Sequence, residues 1–146
     1  MSKIVADTSV IINGQLIDQI EAGSVRNSEI IIPQAVFDEL QSQASSKKEQ
    51  GFVGLEKIKK LKELSGSFGL IIVTKGAHPS IDDIKFASSG RIDALITDVA
   101  KENDAILYTS DNVQYLVAQA KDLETVFLQP IVKNETLEFL KFFDDQ

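Results

Sequence analysis

Four carboxylates stand where strands hand over to helices. Asp7 directly follows the apolar run Ile4-Val5-Ala6, and Asp111 follows Ala105-Ile106-Leu107-Tyr108-Thr109. Glu39 lies about two turns into the helix expected after Glu29-Ile30-Ile31-Ile32, and Asp93 opens the helix expected before the fourth strand. In an open parallel sheet, ligands bind beyond the carboxyl ends of the strands, where the strand order reverses. Each acid has an ordinary explanation when taken alone. Asp7 and Asp111 sit where a turn into a helix wants a cap, Asp93 sits near a favourable helix-dipole end, and Glu39 fits a solvated helix face. The case for chemistry rests on all four converging at one sheet edge. Packed together, four carboxylates repel and some have raised pKa values. A hard cation such as Mg²⁺ or Mn²⁺ takes oxygen ligands and relieves that repulsion.

Composition removes the competing chemistries. The 146 residues contain no cysteine, which excludes disulfides, thiol nucleophiles, Cys-based zinc sites and Cys-ligated iron–sulfur clusters. His78 is the single histidine, so one chain cannot build a multi-histidine metal site. Acids outnumber bases 22 to 15, a formal charge of −7, which argues against coating nucleic acid through bulk charge. The start Met1-Ser2-Lys3 leads directly into a short apolar strand and does not read as a signal peptide. No apolar run approaches a membrane span, so no membrane partner and a cytoplasmic location are expected.

The positioning elements follow from periodicity. Short β-branched runs at Ile4–Ala6, Glu29–Ile32, Leu70–Val73, Ala105–Thr109 and Thr125–Leu128 read as five strands, unalternating as in a sheet covered on both faces. A helix is expected from Asp7-Thr8-Ser9 through Ile20, weakened but not ended by Asn13-Gly14. Pro33 suits the first turn of a helix reaching about Ser45. The polar stretch Ser45 to Gly51 breaks the pattern, and a further helix carries Leu55, Ile58, Leu61 and Leu64 until Ser65-Gly66-Ser67. Residues 76–90 are expected to be irregular or a short helix. Helices follow over residues 92–101, from Asp111 through Ala120, and over residues 134–143. Strands alternating with helices predict an α/β, three-layer α/β/α fold around a mostly parallel five-stranded sheet.

With these residues in place, the chain resembles a PIN domain. Ile4-Val5-Ala6-Asp7-Thr8-Ser9 looks like the opening strand and first acid, and Phe37-Asp38-Glu39-Leu40 like the second acidic motif. Arg91-Ile92-Asp93-Ala94-Leu95-Ile96 resembles the third, and Leu107-Tyr108-Thr109-Ser110-Asp111 the fourth. Each motif is short, and specificity comes from four in order over nearly the whole chain, residues 1–146, read as a single domain. Asp98-Val99-Ala100 and Asp111-Asn112-Val113-Gln114 look closest to the PIN domain at the N-terminus of archaeal PIN–ATPase–KH proteins. No Walker glycine loop is present, so an ATPase part would lie beyond Gln146 or be absent. The ending Asp144-Asp145-Gln146 fits a fragment of a longer chain.

The resemblance implies a metal-dependent endoribonuclease acting on single-stranded RNA, with one or two Mg²⁺ or Mn²⁺ ions held by Asp7, Glu39, Asp93 and Asp111. One ion would lower the pKa of a bound water for attack on the scissile phosphorus, and the same or a second would stabilise the leaving oxygen. Thr8 and Ser9 would orient Asp7 or a bound water, and both also suit helix capping. Asp98 lies about 140° round the helix from Asp93, so it is expected behind the acids rather than among them, like Asn112.

Residues 47–62 carry a local charge of +4. Lys47, Lys48, Lys57 and Lys60 read either as the solvated face of an amphipathic helix or as a flank that tracks RNA phosphates. His78 reads as an exposed loop residue. Leu137, Phe139, Leu140, Phe142 and Phe143 exceed one narrow stripe, which predicts a homodimer or a following domain. An ATPase or KH portion, or an inhibitory partner, would accompany the nuclease. Two rivals stay open. One is a catalytically quiet PIN-fold module for RNA binding or assembly. The other, a receiver-type flavodoxin-like domain, is disfavoured by a single acid after the first strand and Gln129-Pro130 after the fifth.

Overall fold

The structure, a computed structural model, describes residues 1–85 and 89–130. Its elements run β1 (Ser2–Ala6), α1 (Thr8–Ile12), α2 (Gln15–Glu21), β2 (Ser28–Pro33), α3 (Gln34–Ser45), α4 (Glu49–Phe68), β3 (Ile71–Lys75), α5 (Ile81–Lys85), α6 (Ser89–Glu102), β4 (Ile106–Thr109), α7 (Asn112–Ala120) and β5 (Thr125–Phe127). The five strands form one sheet in the order β3-β2-β1-β4-β5. Every pairing is parallel, with Ile4 beside Ile30 and Ile106. Right-handed crossovers put the helices of the β1–β2 and β2–β3 connections on one face and those of the later connections on the other. The three-layer architecture expected from the sequence is therefore present.

The core sits where the sheet is covered twice. Ile30, Ile31 and Ile32 of β2 are all buried, as are Val5 and Ala6 of β1. β3 departs from the expected doubly buried strand: it starts at Ile71 rather than Leu70, runs on to Lys75, and leaves Ile71 49% exposed. It is an edge strand with one neighbour, so one of its sides is left open and its residues are at most partly buried.

Several helix boundaries differ from expectation, and those of α1 and α4 each have a local reason. Asn13-Gly14 does end the first helix. Gly14 adopts φ of 78°, which a residue without Cβ tolerates, and Asn13 Oδ1 accepts from the Gln15 N–H at 3.0 Å. The freed Asn13 amide donates to Ser110 Oγ at 3.0 Å, tying this elbow to the end of β4. α4 begins at Glu49, before the expected start, because Gly51 and Gly54 are packing residues rather than breakers. A Cβ on Gly51 would lie 2.2 Å from the Ala44 nitrogen, and one on Gly54 2.4 Å from Leu40 Cδ2. Their missing side chains let α4 lie directly on α3. At its other end α4 runs through Ser65-Gly66-Ser67 to Phe68, with Ser65 Oγ satisfied by the Lys62 carbonyl at 2.7 Å.

The short helix expected within residues 76–90 is α5, and α6 starts at Ser89, one turn earlier than expected. The helix expected over residues 134–143, and with it the apolar surplus behind the dimer expectation, lies outside the described residues. Among the described residues, no helix is long and apolar enough to cross a membrane.

Candidate metal and phosphodiester site

The strand order reverses at β1, whose neighbours β2 and β4 lead the chain in opposite directions across the sheet. Beyond the carboxyl ends of these strands opens a cleft of about 290 Å³, lined by Asp7, Thr8, Ser9, Ile12, Glu39, Gln43, Gln50, Ile92, Asp93 and Asp111. All four acids singled out from the sequence face this one space, each delivered by a different connection. Capping a helix and lining the cleft are not exclusive, since Asp7 and Asp111 do both.

Asp7 is only 3% exposed and is the most elaborately held. Its main-chain N–H donates to the Tyr108 carbonyl at 3.0 Å, extending the β1–β4 ladder by one rung. Oδ1 accepts from the Thr8 N–H at 2.8 Å and caps α1. Oδ2 accepts from Ser9 Oγ at 2.9 Å and from Thr109 Oγ1 at 2.7 Å. Burial pushes its carboxyl pKa up, against the pull of these hydrogen bonds, and the Asp111 charge adds to the rise. Asp111 is exposed. Its Oδ1 caps α7 through the Val113 and Gln114 N–H groups at 2.8 and 3.3 Å. Its own N–H donates to Thr109 Oγ1 at 3.0 Å. The buried Thr109 hydroxyl thus joins the two strand-end acids. Sequence reading passed over it as part of a strand; its place two residues before Asp111, where β4 must end, was the available signal.

Glu39 and Asp93 come from α3 and α6 and are held differently. Burial raises the Glu39 pKa, and the charge on Asp7 raises it further. Asp93 is pushed up to about 6, first by burial and then by the charges of Asp7, Asp111 and Glu39. That pattern is what mutually close carboxylates produce. The donor set is all oxygen and strongly anionic, which fits a hard divalent cation. Among the described residues, however, no three acids converge closely enough to hold one ion with their side chains as they lie.

The remaining expected residues divide. Thr8 and Ser9 line the cleft, and Ser9 Oγ also accepts from the Ser110 N–H at 3.1 Å, so it braces Asp7 against the end of β4. Asp98 and Asn112 are exposed and outside the cleft lining. Lys47 and Lys48 are exposed in the α3–α4 turn, two or three residues before the cleft residue Gln50. The Lys57 ammonium lies against Gly14. Lys60 pairs with Glu21 at 3.4 Å. His78 is exposed, as expected, with Nδ1 2.5 Å from Asp38 Oδ2 and away from the cleft. Gln43 and Gln50 line the cleft without having been anticipated. Gln43 stands one turn beyond Glu39 on α3, and that spacing was its sequence signal.

Comparison with known proteins places this geometry. The family model described as PIN domain matches residues 4–120, which include all four acids. An uncharacterised KH and PIN-domain-containing protein of Methanocaldococcus jannaschii is 39% identical over 144 residues, 99% of this chain. The chain spans 22% of that relative's length. A solved domain of a functionally unknown protein from the same organism superposes with a TM-score of 0.84 at 39% identity, covering 92% of this chain and 96% of the other. VapBC-1 from nontypeable Haemophilus influenzae aligns at a TM-score of 0.45 and 15% identity, too distant to carry an argument. On the family match and the relative that aligns with 99% of this chain, the chain belongs to the PIN domain family.

Proposed function

We propose that the chain is a Mg²⁺- or Mn²⁺-dependent endoribonuclease that hydrolyses single-stranded RNA at the four-acid cleft. The observation that carries this reading is the gathering of Asp7, Glu39, Asp93 and Asp111 around one cleft, where burial first and then the charges of the other three acids push the Asp93 carboxyl up to about 6. PIN domains are commonly nucleases, which supports the same reading. Asp7, Glu39, Asp93 and Asp111 would hold one or two ions. A bound ion supplies Lewis acidity at the scissile phosphate and makes a coordinated water more acidic.

The chain's own residues do the rest. Ser9, Thr109 and the Thr8 N–H fix Asp7 in one orientation. Asp93 holds a proton below about pH 6 in the metal-free cleft and releases it above. Lys47 and Lys48 offer charge to RNA phosphates at the rim, and Lys57 offers it beside the α1–α2 elbow, whereas Lys60 is engaged by Glu21. With a formal charge of −7, RNA affinity is weak unless a divalent cation neutralises the cleft.

The chain is read as the single PIN unit, residues 1–146, of a longer cytoplasmic protein. A KH portion is supported by the name of its relative, and an ATPase portion or an inhibitory partner rests on the resemblance alone. Homodimerisation is supported by the exposed α7 side chains Val113 and Leu116.

A second reading, a catalytically quiet RNA-binding or assembly module, is favoured by the acids' failure to converge on one ion position among the described residues. Mn²⁺-dependent cleavage of a single-stranded RNA separates the two. Wild type is expected to cut, EDTA to stop it, and Asp93→Asn to slow it at least about 100-fold, the upper end of what a lost metal-supporting group costs. Equal rates for wild type and Asp93→Asn would overturn the assignment.

A further inference from the structure

We infer that Gln114 is a positioning residue, one that sets the separation of Asp93 and Asp111 by clamping α6 to the start of α7. The consequence for metal binding rests on the function proposed above, whereas the clamp itself does not. Gln114 is completely buried on the inner face of α7, in line with the equally buried Ala118 one turn on. Its Nε2 donates to the main-chain carbonyl of Asp93 at 3.2 Å. Its main-chain N–H donates to Asp111 Oδ1 at 3.3 Å. One residue therefore holds the backbone of one cleft acid and the carboxylate of another, without itself lining the cleft. Among the described residues a second side-chain bond runs from Lys121 Nζ, just past α7, to Thr97 Oγ1 of α6 at 3.3 Å, and it comes from an exposed lysine that water competes for.

Folding alone gives little reason for an amide here. The Gln114 Oε1 is buried and has no hydrogen-bond partner among the described residues. An unpaired buried acceptor is unfavourable, and a leucine of similar volume would fill the space without one. What leucine would lose is the bond to Asp93, which water cannot replace in a buried, low-dielectric setting. The amide thus exchanges stability for a fixed distance between α6 and α7.

The test uses the whole chain with Gln114→Leu, and with Gln114→Met as a second apolar replacement should the first not fold. The expected thermal midpoint is at or above that of wild type. Amide exchange at residues 93–97 is expected to quicken about tenfold, the equivalent of one lost hydrogen bond, with exchange in β1 and β2 unchanged. Mn²⁺ affinity, measured by calorimetry, is expected to fall about tenfold or more, as for other groups that support a ligand. Unchanged exchange at residues 93–97 would overturn the inference. So would a lower midpoint with faster exchange throughout, since that is ordinary core damage. If wild type itself binds no Mn²⁺, the proposed function fails, and the exchange pattern still decides the role of Gln114.

Discussion

Asp7 and Asp93 face the same cleft and burial pushes both carboxyls up, yet hydrogen bonds oppose that rise at Asp7 whereas neighbouring charges add to it at Asp93. Asp7, at the end of β1, accepts three hydrogen bonds that favour its charged form and partly offset its burial. Asp93, on α6, has burial and three neighbouring carboxylates acting on it, and all of them push its pKa up. Glu39 on α3 resembles Asp93 in this respect. The strand-end half of the cleft is thus preorganised by hydrogen bonds. The helix half stores electrostatic repulsion, which a divalent cation would relieve. Both carboxyls are raised by burial, but one is fixed in orientation by hydrogen bonds and the other is pressed by three neighbouring charges, so the first would set the geometry of a bound cation and the second would gain most from its charge.

The contrast breaks most visibly at Thr109. Thr109→Val removes the hydroxyl that donates to Asp7 and accepts from Asp111 while preserving shape. Cleavage rate is expected to fall about 10–100-fold, and stability to fall by about 1–2 kcal/mol, measured by urea denaturation. A rate change below twofold would show that the bonds to Asp7 are ordinary capping.

The helix half predicts the opposite sign for stability. A carboxyl whose folded pKa is raised binds protons more tightly in the native state than in the unfolded one. Its penalty is therefore absent below the unfolded value near 4, grows as pH rises, and is complete above about 6. Metal-free Asp93→Asn should accordingly be more stable than wild type at pH 7 and indistinguishable from it near pH 4. The gain at pH 7 is about 1 kcal/mol after discounting for solvent screening of a partly buried group, or roughly 4 °C in midpoint. Mn²⁺ should erase the advantage by stabilising wild type alone. A destabilised Asp93→Asn at pH 7 would mean that the repulsion is not there.

The smallest effects belong to the rim. Lys47→Ala with Lys48→Ala should raise KM for RNA about three- to tenfold with kcat retained, and more steeply at low salt. Lys60→Ala, already paired with Glu21, should change it less than twofold. Equal losses for both would make the lysine effect one of bulk charge.

Much of this was legible in the chain itself. Five apolar runs gave the strands, and the acids after the first and fourth could be placed because a strand must end where its apolar run ends. Spacing could not show that Gly51 and Gly54 are packing surfaces, because a glycine that breaks a helix and one that admits a neighbouring helix look alike until α3 lies across it. Asn13-Gly14 hid a true break for the converse reason: the apolar periodicity continues on both sides, and only the bond from Asn13 to Ser110 shows what the elbow holds. Gln114 was invisible as a site residue because it acts through a contact distant in sequence, to Asp93, whereas Thr109, bonded to the equally distant Asp7, was marked only by its place before Asp111.

The central claim is that the four acids form one divalent-cation site, and a crystal of the protein soaked in Mn²⁺ tests it most directly. The expected result is an anomalous peak within the cleft, coordinated by Asp93 and Asp7 and bordered by Glu39 and Asp111, lost in Asp93→Asn. Well-ordered side chains in that cleft with no peak between them, at Mn²⁺ concentrations that support cleavage, would contradict it.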